Sequence, residues 1–321
     1  MRYILALISI IIFWIYITAV PPTIYLGDSG EIVAGAYTLG IAHPPGYPLY
    51  MLISKAFISF MPADPAMMMN VLSGALGVLF FLCLYNLCVY ILGIWFEKSK
   101  GREPELAGLI ISLVFVFSYI FWFNANNAKG GVYMLTLIVE SLALLYCARA
   151  VNGGKGRDLM SALYLSGFLP ALHHSSALVM LFILAILAFN AKKFRTDAIV
   201  NGAALFVMSF FTPYLYLFIR AAAGPVVWWR EIRTFGDVLG HILRKTYLSY
   251  PDVPLNYYSF TYKLKNYIGQ FAFSYKFSSV FLFTGLFAMW KKAGNGSRYA
   301  LASSCSTFSF CSYLPGIPCT R

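Results

Sequence analysis

Long apolar runs separated by short clusters of charge organise this chain. The first occupies residues 3–20 and is followed directly by Pro21-Pro22. Further runs occupy 68–96, 106–123, 132–148, 159–172, 175–189, 199–219 and about 277–290. A helix rises about 1.5 Å per residue, so about 18 residues cover roughly 27 Å, close to the thickness of a hydrocarbon core. These runs predict membrane-crossing helices. Residues 49–61 are too short to cross comfortably and predict an interfacial or half-buried helix. The arms 159–172 and 175–189 are short as well. They predict a hairpin that turns near residues 170–176, below the membrane surface, where irregular backbone is tolerated if it lines a protein cavity.

Composition agrees with the pattern. Of 321 residues, 60% are hydrophobic and only 11% charged, with a mean hydropathy of +0.71. A soluble domain carries about 25% charged residues. The bilayer must therefore solvate most of this chain, which predicts an all-α integral membrane protein. The net charge of +12 would suggest a nucleic-acid partner in a soluble protein. Here the basic residues lie mainly between apolar runs, where they act as topology signals and contacts for anionic lipid headgroups. Lys98, Lys100 and Arg102 share one connection, Arg149, Lys155 and Arg157 another, and Lys192, Lys193 and Arg195 a third. Placed in the cytoplasm with Arg2, Lys291 and Lys292, they leave two outer segments, 21–67 and 220–276. The first run is expected to remain as an uncleaved span, because no convincing signal-peptidase site precedes the prolines. Residues 1–290 read as one polytopic domain. Residues 291–321 read as an atypical tail, truncated or frame-shifted, since 301–320 carry no charge and are rich in Ser, Cys and Thr. The six cysteines have neither the spacing nor the nearby histidines of a zinc site.

The first outer segment contains GDSGEIVAGAYTLGIAHPPGYPLY, residues 27–50. Asp28 and Glu31 fit the N-cap and third position of a helix, an acidic analogue of a capping box. The same spacing puts both carboxylates on one helix face, where they could act as a general base or hold a divalent cation such as Mg²⁺ or Mn²⁺. His43 opens a proline-stiffened connector, His43-Pro44-Pro45-Gly46-Tyr47-Pro48. It reads as a structural hydrogen-bonder ahead of an acid or base. His173 and His174 fall at the predicted hairpin turn, where buried polar groups are paired or functional.

This first motif resembles the signature of a family of multi-spanning membrane proteins long catalogued as a domain of unknown function. That family includes a eukaryotic protein O-mannosyltransferase of IPT domains and is similar to the GT-C glycosyltransferases. FWFNANNAKGGVYML (121–135), GFLPALHHSSALVML (167–181) and YLYLFIRAAAGPVVWW (214–229) fit the same family in the expected order. The family commonly has a glutamate before the Val-Tyr of the second stretch, where this chain has Gly131.

The resemblance implies a GT-C-like transmembrane bundle with helical outer loops. It also implies inverting transfer of a sugar from a polyprenyl-phosphate donor to a protein or glycan hydroxyl on the outer face. On these residues Asp28 is the expected base and Glu31 its partner or a substrate anchor. Arg220, at a span end, is the first choice for the leaving phosphate, because a guanidinium donates two parallel hydrogen bonds. Arg230 is a further candidate for that contact, and His43 and His174 are candidates for contacting substrate. A divalent cation, Mg²⁺ or Mn²⁺, is the one cofactor candidate, and no nucleic acid is expected. Two alternatives stand beside this reading. One is a transporter or flippase, which would usually show paired interrupted helices in two related halves. The other is an inactive remnant of the glycosyltransferase family, suggested by Gly131 and the tail.

Overall fold

A computed structural model describes residues 1–60, 63–95, 101–245, 264–266 and 268–269. The described chain is all-α, which suits an apolar chain in lipid because a helix satisfies its own backbone. The helices are α1 (Arg2–Ile17), α2 (Ser29–Thr38), α3 (Pro48–Ser59), α4 (Pro65–Trp95), α5 (Glu103–Val116) and α6 (Tyr119–Ala125). They continue with α7 (Ala128–Gly153), α8 (Gly156–Leu172), α9 (Ser176–Phe189), α10 (Thr196–Ala222) and α11 (Phe235–Ile242).

Among the described residues, α4, α7 and α10 are each long and apolar enough to cross a membrane. The run 106–123, expected as one span, is instead two helices. Ser118 takes an extended conformation, and α5 and α6 meet at 68°. The predicted short hairpin is present: α8 ends at Leu172, His173 is extended, and α9 starts at Ser176. The short helix expected over 49–61 is α3. It buries Tyr50, Met51, Ser54 and Ile58, residues close to one face of a helix with about 3.6 residues per turn. The run 277–290 and the tail 291–321 lie outside the described residues.

Helix α7 forms the centre, buried over most of its length, with α4 and α8 against it and α10 against α8. Tyr16 of α1 is fully buried and donates to the Val116 carbonyl at 2.8 Å, which fastens the first helix beside α4 and α5. Short connections make α7 to α10 run up and down. The start of α7, the His173–Ser175 turn and the end of α10 therefore gather at one end of the bundle. The Gly154 and Lys193–Arg195 connections lie at the other, about 39 Å away by the rise of the 26-residue α7.

At the first end, residues 38–41 and 216–229 are stitched together. The Ile41 N–H donates to the Val227 carbonyl and the Trp229 N–H to the Ile41 carbonyl, both at 2.8 Å, in a parallel bridge. Tyr216 donates to the Gly40 carbonyl at 2.7 Å. Arg220 donates to the carbonyls of Leu39 and Thr38 at 2.6 and 3.2 Å, which caps the C-terminal end of α2.

Candidate functional site

Helix α2 begins where the sequence predicts, with Asp28 at the N-cap and Glu31 in the first turn. Neither carboxylate is spent on the cap, because the Asp28 side chain bonds no N–H of its own helix. Glu31 reaches across the loop instead. Its Oε1 accepts from the His43 backbone N–H at 2.6 Å and its Oε2 meets His43 Nδ1 at 2.8 Å. A carboxylate at that distance requires Nδ1 to carry a proton. Nε2 then faces inward, 2.7 Å from the Tyr47 hydroxyl and 3.0 Å from Lys129 Nζ. Tyr47, with φ 48°, starts α3 in the left-handed region, and the peptide between Pro44 and Pro45 is cis.

Lys129 completes the group from the first turn of α7. It is 92% buried by surface area, and its ammonium finds three acceptors: His43 Nε2, the Tyr47 hydroxyl at 3.1 Å and Asp28 Oδ2 at 3.3 Å. It also lies over the Tyr47 ring, 4.4 Å from the centroid. Such pairing is what a cation buried at the mouth of a membrane bundle requires. Asparagines place it. Asn127 caps α7 by accepting from the Gly130 N–H. Buried Asn70 of α4 accepts from the Ala128 N–H and donates to the carbonyls of Pro21 and Thr23. One side chain thus joins α4, the start of the outer loop and the start of α7.

Gly131 is also here. A Cβ at this position would run into the Tyr50 hydroxyl, which donates to the Ala128 carbonyl at 2.7 Å, and would lie 2.5 Å from Ser73 Oγ. The glutamate that the sequence resemblance leads one to expect here has no room without displacing Tyr50.

Trp229, Arg244 and the hairpin turn close the site. The Trp229 ring stands edge-on to His43 with centroids 5.8 Å apart, and His173 stacks on Tyr47 at 6.4 Å. Arg244 Nη1 lies 2.8 Å from His174 Nε2. Burial, then the charge of Arg244, pushes His174 down to about 4. Burial followed by neighbouring His174 pushes His173 down to about 2. His241 of α11 is fully buried beside Gly46, and burial pushes it down to about 4. Hydrogen bonds from Thr234 and the 233–234 backbone hold Asp237 below the usual carboxylate range and start α11 with a capping box.

The sequence-predicted residues therefore divide. Asp28, Glu31 and His43 come together in one network. His174 stands at the edge of the same site. Arg220 is at the opposite end of α2, bonded to backbone carbonyls rather than facing Asp28. Arg230 lies in the second outer segment, 3.7 Å from Asp237. Among the described residues no three His, Cys, Asp or Glu side chains are grouped to hold a metal ion. Glu31 is committed to His43, and the Lys129 ammonium sits against Asp28 where a cation would. The donor set does not fit Mg²⁺ or Mn²⁺.

Residues 28–197 match the family described as the protein O-mannosyl-transferase TMEM260 N-terminal domain, which is more than half of the chain. The chain belongs to this family. It is 26% identical over 247 residues to the mouse protein O-mannosyl-transferase TMEM260, covering 73% of this chain and 33% of that relative. It is 25% identical over 244 residues to the Dictyostelium discoideum protein of the same name, covering 70% and 28%. The chain thus spans about a third of the length of the curated relatives it matches. No solved structure gives a significant match. The family match starts at Asp28 and takes in every member of the polar network.

Sequence reasoning missed Lys129, Tyr47 and Asn70. Lys129 had a readable signal, a single lysine at the start of an apolar run, which marks a functional or paired position. Asn70 and Tyr47 had none, because their partners lie far along the chain or depend on the fold of the connector.

Proposed function

We propose that this chain transfers a sugar from a polyprenyl-phosphate donor to a hydroxyl on the extracytoplasmic side, with inversion at the anomeric carbon. The names of the relatives make mannose the favoured sugar and a protein Ser or Thr hydroxyl the favoured acceptor. The observation that carries the reading is the division of labour between the two carboxylates. Glu31 uses both oxygens to hold His43. Asp28 is half exposed and pairs with the Lys129 ammonium through Oδ2, while Oδ1 makes no hydrogen bond or ion pair among the described residues. That oxygen can take the acceptor proton as the acceptor oxygen bonds to the anomeric carbon. The bond from that carbon to phosphate breaks, and its electron pair leaves with the polyprenyl phosphate. Lys129, beside Asp28, and Arg244, across from His174, supply positive charge for the departing phosphate. The Glu31–His43–Tyr47 chain keeps Lys129 and the loop in register, and Trp229 offers a ring on which a sugar can stack.

The test is transfer of radiolabelled mannose from polyprenyl-phosphate mannose to a Ser/Thr peptide by the full chain in proteoliposomes. The parent should transfer label. Asp28→Asn should lose at least about a hundredfold, the lower range for general-base catalysis, with unchanged insertion. Undiminished transfer by Asp28→Asn removes the base. No transfer by the parent contradicts the activity.

A further inference from the structure

At the end of the bundle opposite Asp28, the starts of α8 and α10 meet at a concavity of about 310 Å³. Gly156, Arg157, Met160, Lys193, Arg195 and Asp197 are among the residues that line it. Cationic side chains from two separate connections converge there. The helices begin side by side because Gly156 has no side chain: a Cβ would stand 2.8 Å from the Ala198 Cβ. Neither helix start is capped by a side chain, so the first N–H groups of both are open to an external acceptor. The partial positive charge of two helix N-termini adds to that of the side chains.

The cations have different tasks. Lys193 donates to the Val151 carbonyl at 3.0 Å and so serves the C-terminal end of α7. Arg195 pairs with Asp197 at 3.1 Å, both side chains largely in solvent. An exposed pair of this kind is weak and exchangeable. Arg157 has no ion pair among the described residues. Two guanidiniums and two helix starts thus face one space, with Asp197 lining it and buried Asp158 in the first turn of α8 turned to Arg149 at 3.6 Å.

The neighbouring surface is apolar. From this end α10 carries exposed Val200, Val207, Phe211 and Leu215 along its length, and Phe189 at the end of α9 is 90% exposed. An occupant with a phosphate in the concavity and acyl chains along α10 would meet complementary chemistry at both parts. A free phosphate would use only the first.

We propose that this concavity binds the phosphate of an anionic membrane lipid, with Arg157 and Arg195 as its charged contacts. It is separate from the Asp28 site and does not depend on the reading of that site.

The full chain in neutral detergent is titrated with dioleoyl phosphatidic acid or dioleoyl phosphatidylcholine, and thermal unfolding is followed. Phosphatidic acid should raise the midpoint in a saturable way, and phosphatidylcholine should not. Each arginine near an anionic headgroup is worth roughly a fivefold change in affinity, so Arg157→Gln with Arg195→Gln should weaken binding by about twentyfold or more. The Arg157→Lys, Arg195→Lys chain should keep most of it, which separates lost charge from lost folding. Inorganic phosphate at millimolar concentration should neither shift the midpoint nor compete. Equal binding by the double glutamine chain, or an equal shift with phosphatidylcholine, overturns the proposal. Competition by inorganic phosphate identifies a free-anion site instead of a lipid site.

Discussion

At the scale of single residues, the site is a chain of matched donors and acceptors, and two consequences can be measured. Glu31 holds His43 by its backbone and its ring together. Glu31→Gln keeps one acceptor but places an amide NH₂ against one of two donors. In the mannose-transfer assay it should lose activity about tenfold, less than Asp28→Asn, because it disturbs position and leaves the proton acceptor in place. A larger loss than that of Asp28→Asn would exchange the two roles. The second consequence concerns His241, buried neutral with its pKa pushed down to about 4. Its neighbours His43 and Arg230 oppose a further charge and Glu31 favours it. Above an unfolded value of about 6.5 the ring is neutral in both states and costs nothing. Between about 6.5 and about 4 the unfolded chain binds a proton that the folded chain refuses, so stability falls as pH falls through that window. His241→Phe should flatten the decline of the thermal midpoint between pH 7 and pH 4. An unchanged slope would show that His241 does not resist protonation in the folded chain.

At the scale of elements, the acidic helix is positioned from both ends. Arg220 and Tyr216 of α10 take the carbonyls of residues 38–40, and Glu31 and Asp28 grip the His43 connector and α7. Sequence pattern made α2, α3 and most long helices legible, because apolar spacing and the Asp-x-x-Glu start are local signals. It did not show that run 106–123 breaks at Ser118, since apolarity continues across the break. Nor did it show the role of Arg220: a span-end arginine looks the same whether it faces a headgroup or caps a helix. The helix-start reading of Asp28 and Glu31 was right in position, yet the cap bonds it implied are not made, because His43 and Lys129 offer charged or fixed partners. Asn70 shows most clearly what local pattern omits, since it joins three elements through backbone groups distant in sequence. Asn70→Ala should lower stability by about 2 kcal/mol or more, as buried backbone donors and acceptors lose their partner. Hydrogen exchange should then rise at residues 21–23 and at the start of α7. Unchanged protection there would show that Asn70 is not the fastening.

At the scale of the whole molecule, the bundle has two chemically different ends. One gathers the carboxylate–histidine–lysine network, the hairpin turn and the contact between residues 38–41 and 216–229. The other gathers exposed arginines and lysines around two helix starts. From the excess of Arg and Lys at the second end we propose that this end lies in the cytoplasm and that the Asp28 end faces outward. This orientation is what the proposed chemistry depends on, and thiol labelling reads it directly. In chains with the native cysteines replaced, single cysteines are introduced at Leu26, exposed beside Asp28, and at Asn152, exposed at the basic end. A membrane-impermeant maleimide applied to intact cells or sealed microsomes distinguishes the two faces. The account predicts that Leu26→Cys reacts only from the extracytoplasmic side and Asn152→Cys only from the cytosolic side. Labelling of Leu26→Cys from the cytosol would contradict it.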